Sequence, residues 1–545
     1  MCPVPEQHAA PEEETIEPLF SDVVMKRRLA VAGGASFALA AAGLALRRPT
    51  AAGPVTRVPS SSAVLQEDHT GHHEADPYAA TPMPWISEEL IEPEERRSVN
   101  GVLSTTLDVD YAYRDVGGYR LFLRSYEGTS PGPTLRVNPG DTLKIEISNN
   151  LPPNRDQAPA NLDQPHLFNT TNLHAHGTHV SPSGIADNVL RAMEPGGTYE
   201  VEIDFPGEHT RGTYWYHPHQ HGSADIQVAS GMVGALIVEG DFADIPEIAA
   251  ARERVMVLSQ VIFDGLRTVE DFELPWSETA TRFHTINGQR QPTIRLRPGE
   301  VQRWRIVNAG YQDDARLHLD GHELHVITYD GISLDRMETM TELLMAPGGR
   351  ADVLVQAGEA GTYLFSALPN DQGYPSANGP LANVVIEGEP LAMELPAALS
   401  PSPLAPILDS ELTGSREVVF SANAPEAEAA GHYNEFDFLI DGKLFDPNRV
   451  DHRIALGSVE EWTIVNKHFH DHIFHIHINP FLVTQINGEA VEHPVWRDTV
   501  IVPRYGSVVF RSRFIDFTGL YVLHCHMMNH EALGMMQLIE VYDPN

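Results

Sequence analysis

Pro133-Thr134-Leu135-Arg136-Val137-Asn138-Pro139-Gly140-Asp141 returns as Pro292-Thr293-Ile294-Arg295-Leu296-Arg297-Pro298-Gly299-Glu300, and a fainter copy, Arg453-Ile454-Ala455-Leu456-Gly457-Ser458, follows at a nearly equal interval. After each glycine (Gly140, Gly299, Gly457) a β-patterned stretch runs to an asparagine nine residues on: Asn149, Asn308 and Asn466. A second marker keeps the same register: Gly212-Thr213-Tyr214, Gly361-Thr362-Tyr363 and Gly519-Leu520-Tyr521 each open an apolar strand. Two markers in step define three homologous units. Within them, runs such as Leu143-Lys144-Ile145-Glu146-Ile147 alternate in polarity and are separated by Gly, Pro and Asp, the pattern of half-buried strands. No helical period competes. The reading is an all-β chain of three consecutive Greek-key β-sandwich domains, over residues 101–245, 246–405 and 406–545.

Composition agrees. A chain of 545 residues is too long for one core. Its 41 prolines and 42 glycines suit a turn-rich β architecture. The net charge of −38 argues against a nucleic-acid partner and favours cationic donors or metal ions. Residues 1–49 carry Met25-Lys26-Arg27-Arg28 ahead of a small apolar run, Leu29 to Leu46, which reads as a twin-arginine export signal. That run is too rich in Ala and Gly for a strong membrane span, so export to the periplasm or exterior without stable membrane association is expected. Residues 50–100, including His69-Thr70-Gly71-His72-His73, read as a linker.

Of the two cysteines, Cys2 and Cys525, the first falls in the N-terminal segment, leaving Cys525 as a lone thiol. It sits in a histidine constellation. The first unit holds His174-Ala175-His176 and His217-Pro218-His219; the third holds His472-Ile473-Phe474-His475-Ile476-His477, then His524-Cys525-His526, His530 and Met535. Residues i and i+2 of a strand share a face, so each His-x-His aims two imidazoles one way. At 524–526 the rule places the imidazoles on one face and the thiol on the other, joining two metal sites back to back. One thiolate, two imidazoles and a Met are the blue-copper donor set, and imidazole clusters without carboxylate suit copper better than a hard cation. The middle unit has Ser366, Ala367 and Leu368 at the matching positions and reads as a copper-free spacer. The first and third units must then meet.

These motifs resemble those of the multicopper oxidases, a family of laccases, copper efflux oxidases and bilirubin oxidases, over residues 100–545. The resemblance implies cupredoxin-like domains and four copper ions. Type 1 copper would take His472, Cys525, His530 and Met535; type 2, His174 and His475. The type 3 pair would take His176, His217 and His526 on one ion and His219, His477 and His524 on the other. The implied reaction couples four one-electron oxidations to reduction of O2 to two waters, with one chain sufficient. Asp187 and Glu531 resemble the family's proton-relay acids, and Asp498 a position at the type 1 edge that orients a phenol. The segment Lys467-His468-Phe469-His470-Asp471 departs from the copper efflux oxidases, and there is no Met-rich insert. The leading expectation is therefore a laccase-like oxidase of phenols and aromatic amines. A metallo-oxidase of Cu(I), Fe(II) or Mn(II), with donors from His468, His470 and Asp471, and a copper-free envelope scaffold are the alternatives.

Overall fold

The computed structural model describes residues 88–155, 157–270, 280–374, 376–423 and 437–545. The export signal, Cys2 and the His69–His73 tract lie outside these residues. Among the described residues no helix is long and apolar enough to cross a membrane.

Six sheets pair into three cupredoxin-like sandwiches. In each, the first repeated motif is a short strand lying parallel to the last strand of its unit: Leu135 against Leu236, Thr293 against Asn383, and Val450 against Leu538. The strand opened by the Gly-x-Tyr marker is next in the same sheet. The repeats are therefore equivalent places in one topology. Each sandwich closes over its own core, around Leu135 and Ile147, around Trp304 and Phe365, and around Trp462 and Phe474.

The repeated asparagine has a repeated task. Asn149, Asn308 and Asn466 are buried at the end of a strand. Each side-chain amide donates to two carbonyls of the following loops: Asn169 and Met193, Asp313 and Met345, His470 and Val502. Each side-chain oxygen accepts the amide two residues on, at Leu151, Gly310 and His468. A buried polar group must be satisfied, so only a side chain carrying both donor and acceptor fits this corner.

Four strands carry the histidine motifs: β1 (His174–His176), β2 (Gly212–His217), β3 (His472–Ile476) and β4 (Gly519–Cys525). β1 pairs with β2 so that His174 faces His217, and β3 pairs with β4 so that His475 faces His524. Two short buried helices follow the second and fourth motifs, α1 (Ala224–Ala229) and α2 (Met528–Ala532), and they pack on each other. Part of the expected linker is structured: Glu95–Arg97 adds a parallel strand beside Thr134–Val137, and the Leu90 amide donates to the Thr293 carbonyl. The extended backbone before Ser98 finds free sheet edges there, which its polar composition did not signal.

Candidate metal centre

The sandwiches bring all eight paired histidines into one buried space between the first and third units. Three groups have their nitrogens within 4.8 Å of one another: His174, His176 and His475; His176, His217 and His526; His219, His477 and His524. Every one is at most 2% exposed. A fourth group, His472, Cys525 and His530, lies in the core of the third sandwich. The Cys525 sulfur is 3.5 Å from His472 Nδ1 and 3.7 Å from His530 Nδ1. Met535 is fully buried in the same core; its carbonyl accepts the Cys525 amide, and its own amide donates to the His530 carbonyl. Strand alternation thus separates the thiol from the imidazoles of its two sequence neighbours, as the spacing required.

The hydrogen bonds around the rings decide which nitrogens are free. A carbonyl only accepts, so the ring nitrogen facing it must carry the hydrogen. His217 Nδ1 donates to the Pro218 carbonyl, His475 Nδ1 to Asp498 O, and His524 Nδ1 to Cys525 O. His174 Nδ1 bonds both carboxylate oxygens of Asp187 at 3.0 Å. The Nε2 atoms of His174, His217, His475 and His477 are buried without a hydrogen-bond partner among the described residues. His524 Nε2 faces His219 Nε2 at 3.0 Å, while His219 Nδ1 is 3.4 Å from Glu531. Two lone pairs so directed repel unless a cation lies between their rings. Burial holds His217 near a pKa of about 3 and His219 near about 4, with His174, His176, His475, His477 and His526 well below the usual histidine range. Neutral, converging imidazoles with unpartnered nitrogens have the chemistry a metal ion requires of its ligands. Burial also pushes the Cys525 thiol up to about 12, so its thiolate needs a compensating cation. The donors present fit copper.

The acids sit around this space in different ways. Asp187 is 2% exposed, accepts the Ala175 amide at 2.8 Å and orients His174; burial raises its pKa to about 7. Glu531 lies between His219 and His524, 3.4 and 3.3 Å from their Nδ1 atoms. Asp498 corrects the expectation of a residue at the edge of the Cys525 site. It is 3% exposed and 3.3 Å from His176 Nε2. The reason is register: the edge strand that follows pairs Thr499 with His475 and Val502 with His472, which carries Asp498 to the eight-histidine end.

The middle unit is more than a spacer. Its Arg350, wholly buried, forms a two-pronged ion pair with Asp498 at 2.8 and 2.5 Å. Asp330 accepts the Asp498 amide at 3.2 Å. A Cβ at Gly177, which has φ of +82°, would collide with both Arg350 and Asp498. His468, which had read as a donor for incoming metal, is instead 6% exposed, with its Nδ1 3.2 Å from His472 Nε2. Phe438 stacks on the other histidine of the Cys525 group, His530, at 3.9 Å. Arg350, Asp330 and Phe438 carry no local motif; only the fold pairs them with the site.

Fold and donor set together define a redox metalloprotein built from cupredoxin-like domains, with two buried centres joined by one strand. Three multicopper oxidase family models match residues 164–242, 263–387 and 416–545. A laccase of Bacillus stratosphericus is 26% identical over 483 residues, covering 79% of this chain and 92% of that protein. A multicopper oxidase of Staphylococcus aureus is 24% identical over 432 residues, covering 76% and 83%. The solved multicopper oxidase of Campylobacter jejuni, described as a metallo-oxidase, is 26% identical, with a TM-score of 0.69 over 84% of this chain and 96% of that one. The chain belongs to the multicopper oxidase family. It is an oxidoreductase whose metal is copper and whose reaction joins a reducing substrate to O2.

Proposed function

We propose that the protein is a laccase-like oxidase that takes single electrons from phenols and aromatic amines beside Cys525 and delivers them to O2 at the eight-histidine centre, forming water. The observation that carries this reading is the position of Cys525: its sulfur faces His472 and His530, while His524 and His526, its covalent neighbours, face the opposite centre. Four coppers bound here would supply one-electron acceptance at the first site and four-electron reduction of O2 at the second. His472, Cys525, His530 and Met535 would hold the single ion. His174 and His475 would hold the second, His176, His217 and His526 the third, and His219, His477 and His524 the fourth.

The chain's own groups do the rest. Asp187 fixes the tautomer of His174 by accepting from Nδ1, leaving Nε2 free to bind metal. Asp498, held by Arg350, does the same for His176 from its Nε2 side, leaving Nδ1 directed at the centre. Glu531, beside the His219 and His524 rings, is positioned to hand protons to the O2 side. Burial of all eight imidazoles keeps bulk water out of the centre. The twin-arginine segment supports export to the periplasm or exterior.

A metal-ion donor is the second reading, supported by the net charge of −38 and by His468, whose contact with His472 Nε2 extends a ligand histidine toward the segment bearing Asp471. A copper-free scaffold is opposed by the unpartnered buried nitrogens. Oxygen uptake by copper-loaded protein separates the three. A phenol should drive uptake; uptake with Cu(I) or Fe(II) alone would move the assignment to a metallo-oxidase, and none with any donor would leave the scaffold.

A further inference from the structure

A cleft of about 600 Å³, within the usual size of small-molecule sites, opens between the loop around Asp163 of the first unit and residues 437–449 of the third. Its charges decide what it can hold. Lys443 and Arg449 line it, but both face Asp451, whose side chain is 1% exposed, at 3.5 and 2.7 Å. Asp163, Asp437 and Asp446 also line it. Asp437 bonds the neutral Asn423 side chain and Asp446 the Asn448 amide, and among the described residues no lysine or arginine pairs with any of the three. Four carboxylates thus stand against two cations, and the cleft selects for positive charge. Asp163 is the clearest case. It is 8% exposed, and its Oδ1 atom is buried with no hydrogen-bond partner among the described residues. The His221 Nε2 atom lies 3.3 Å from it but is itself unpartnered, out of line for a hydrogen bond. A carboxylate buried in this way is costly until a cation meets it.

The same cleft is lined by Leu439, Leu444 and Phe445, so its occupant has an apolar body as well as a charge. A bare metal ion would gain nothing from these side chains. Their placement ties the cleft to the Cys525 group. Leu439 follows Phe438, the ring stacked on His530. The Phe445 amide donates to the Gly534 carbonyl at 3.1 Å, and Gly534 precedes Met535. Gly534 has φ of +102°, and a Cβ there would collide with Leu444 and come within 3.2 Å of Asp163 Cγ. The glycine lets the cleft wall close directly on the chain that carries Met535.

We propose that this cleft is the docking site of the electron donor, and that it takes phenols bearing a positively charged ammonium group. Asp163 and Asp437 receive the charge; Leu439 and Phe445 receive the ring. The proposal rests on the laccase-like reading and narrows its substrate class. Each bound donor loses one electron to the Cys525 site and its phenolic proton to water, and leaves as the phenoxyl radical. Four such losses supply the four electrons that one O2 takes up, with four protons, to give two waters.

The test uses the full chain and three phenols of similar size: tyramine (cationic), 4-ethylphenol (neutral) and 3-(4-hydroxyphenyl)propanoate (anionic). Calorimetric titration of the copper-free protein should rank their affinities in that order. Asp163→Asn should weaken tyramine binding by about tenfold and Asp437→Asn by about threefold, neither altering 4-ethylphenol. Asp437→Asn carries the test alone if Asp163→Asn does not fold. Asp335→Asn, which removes an exposed acid of the middle unit, controls for the field of the whole chain and should change nothing. In copper-loaded protein the KM for tyramine should rise in both cleft variants, with kcat and the blue band unchanged. Equal binding of the three phenols, a tyramine preference that survives both cleft variants, or an equal loss in Asp335→Asn overturns the docking site. So does an unchanged KM in variants whose tyramine binding has fallen. A wild type that binds tyramine selectively but oxidises no phenol leaves the cation cleft standing and fails instead at the laccase-like reading.

Discussion

Arg350 and Asp498 illustrate how single residues from different units hold the centre. Both are buried, and the pair supports His176 through Asp498. Arg350→Met leaves a buried carboxylate without its counter-ion, and such losses cost about 3–5 kcal/mol. Denaturant unfolding of the copper-free protein should show a drop of that size, whereas a surface-like loss below about 1 kcal/mol would remove Arg350 from the supporting role. Asp187→Asn weakens the hold on the His174 ring without touching the Cys525 site. Copper affinity at the His174 position should fall by about 10–100-fold, read by titration with a chelator, while the blue absorption stays. At this scale the grouping of the candidate ligands was legible in sequence because metal binding forces residue type and i, i+2 spacing together. Their supporters were not. Arg350 pairs with Asp498 across 148 residues, and Arg and Asp are common enough that neither advertises the partnership.

At the scale of elements, alternation along β4 does the separating work: Cys525 points into the third sandwich and its flanking histidines point out of it. The strand that carries the chemistry has a structural counterpart in the middle unit, Gly361–Leu368, where Ala367 lies in the core and no metal-binding group forms among the described residues. That comparison was available from the Gly-x-Tyr markers alone, since strand period and register translate directly into facing. The edge strand Thr499–Val502 was different: its register, which moves Asp498 from one site to the other, depends on pairing that no local pattern encodes. The asparagine corners offer a test free of copper. Asn308→Ala in the middle unit should lower stability by about 1–3 kcal/mol, seen as an earlier denaturant midpoint, with copper content unchanged. Loss of copper in that variant would mean the corner also sets the relation between units.

Across the whole molecule, the eight-histidine centre is assembled from two units, with the middle unit bracing it through Arg350 and Asp330, while the Tyr311 carbonyl accepts the Met528 amide of α2. Domain number and order were readable from the repeat, and the need for the first and third units to meet followed from their complementary ligands. The packing of the sandwiches on one another and the strand added by Glu95–Arg97 were not, because contacts between distant segments leave no periodic trace. Since the copper-free state buries many unpaired ligand atoms at this junction, ion binding should stabilise the fold as a whole. At free copper about 100-fold above Kd the gain is about 2.7 kcal/mol per site, so thermal unfolding should shift upward on copper addition, and an unchanged midpoint would deny that the units close on metal. The central claim is that Cys525 joins a single-copper site to a three-copper site, and the most direct measurement is copper content together with the visible absorption spectrum of loaded wild type and Cys525→Ser. Four coppers per chain with an intense blue band, falling to three coppers and no blue band in Cys525→Ser, is the expected result; a colourless loaded wild type, or a blue band that survives the substitution, would contradict it.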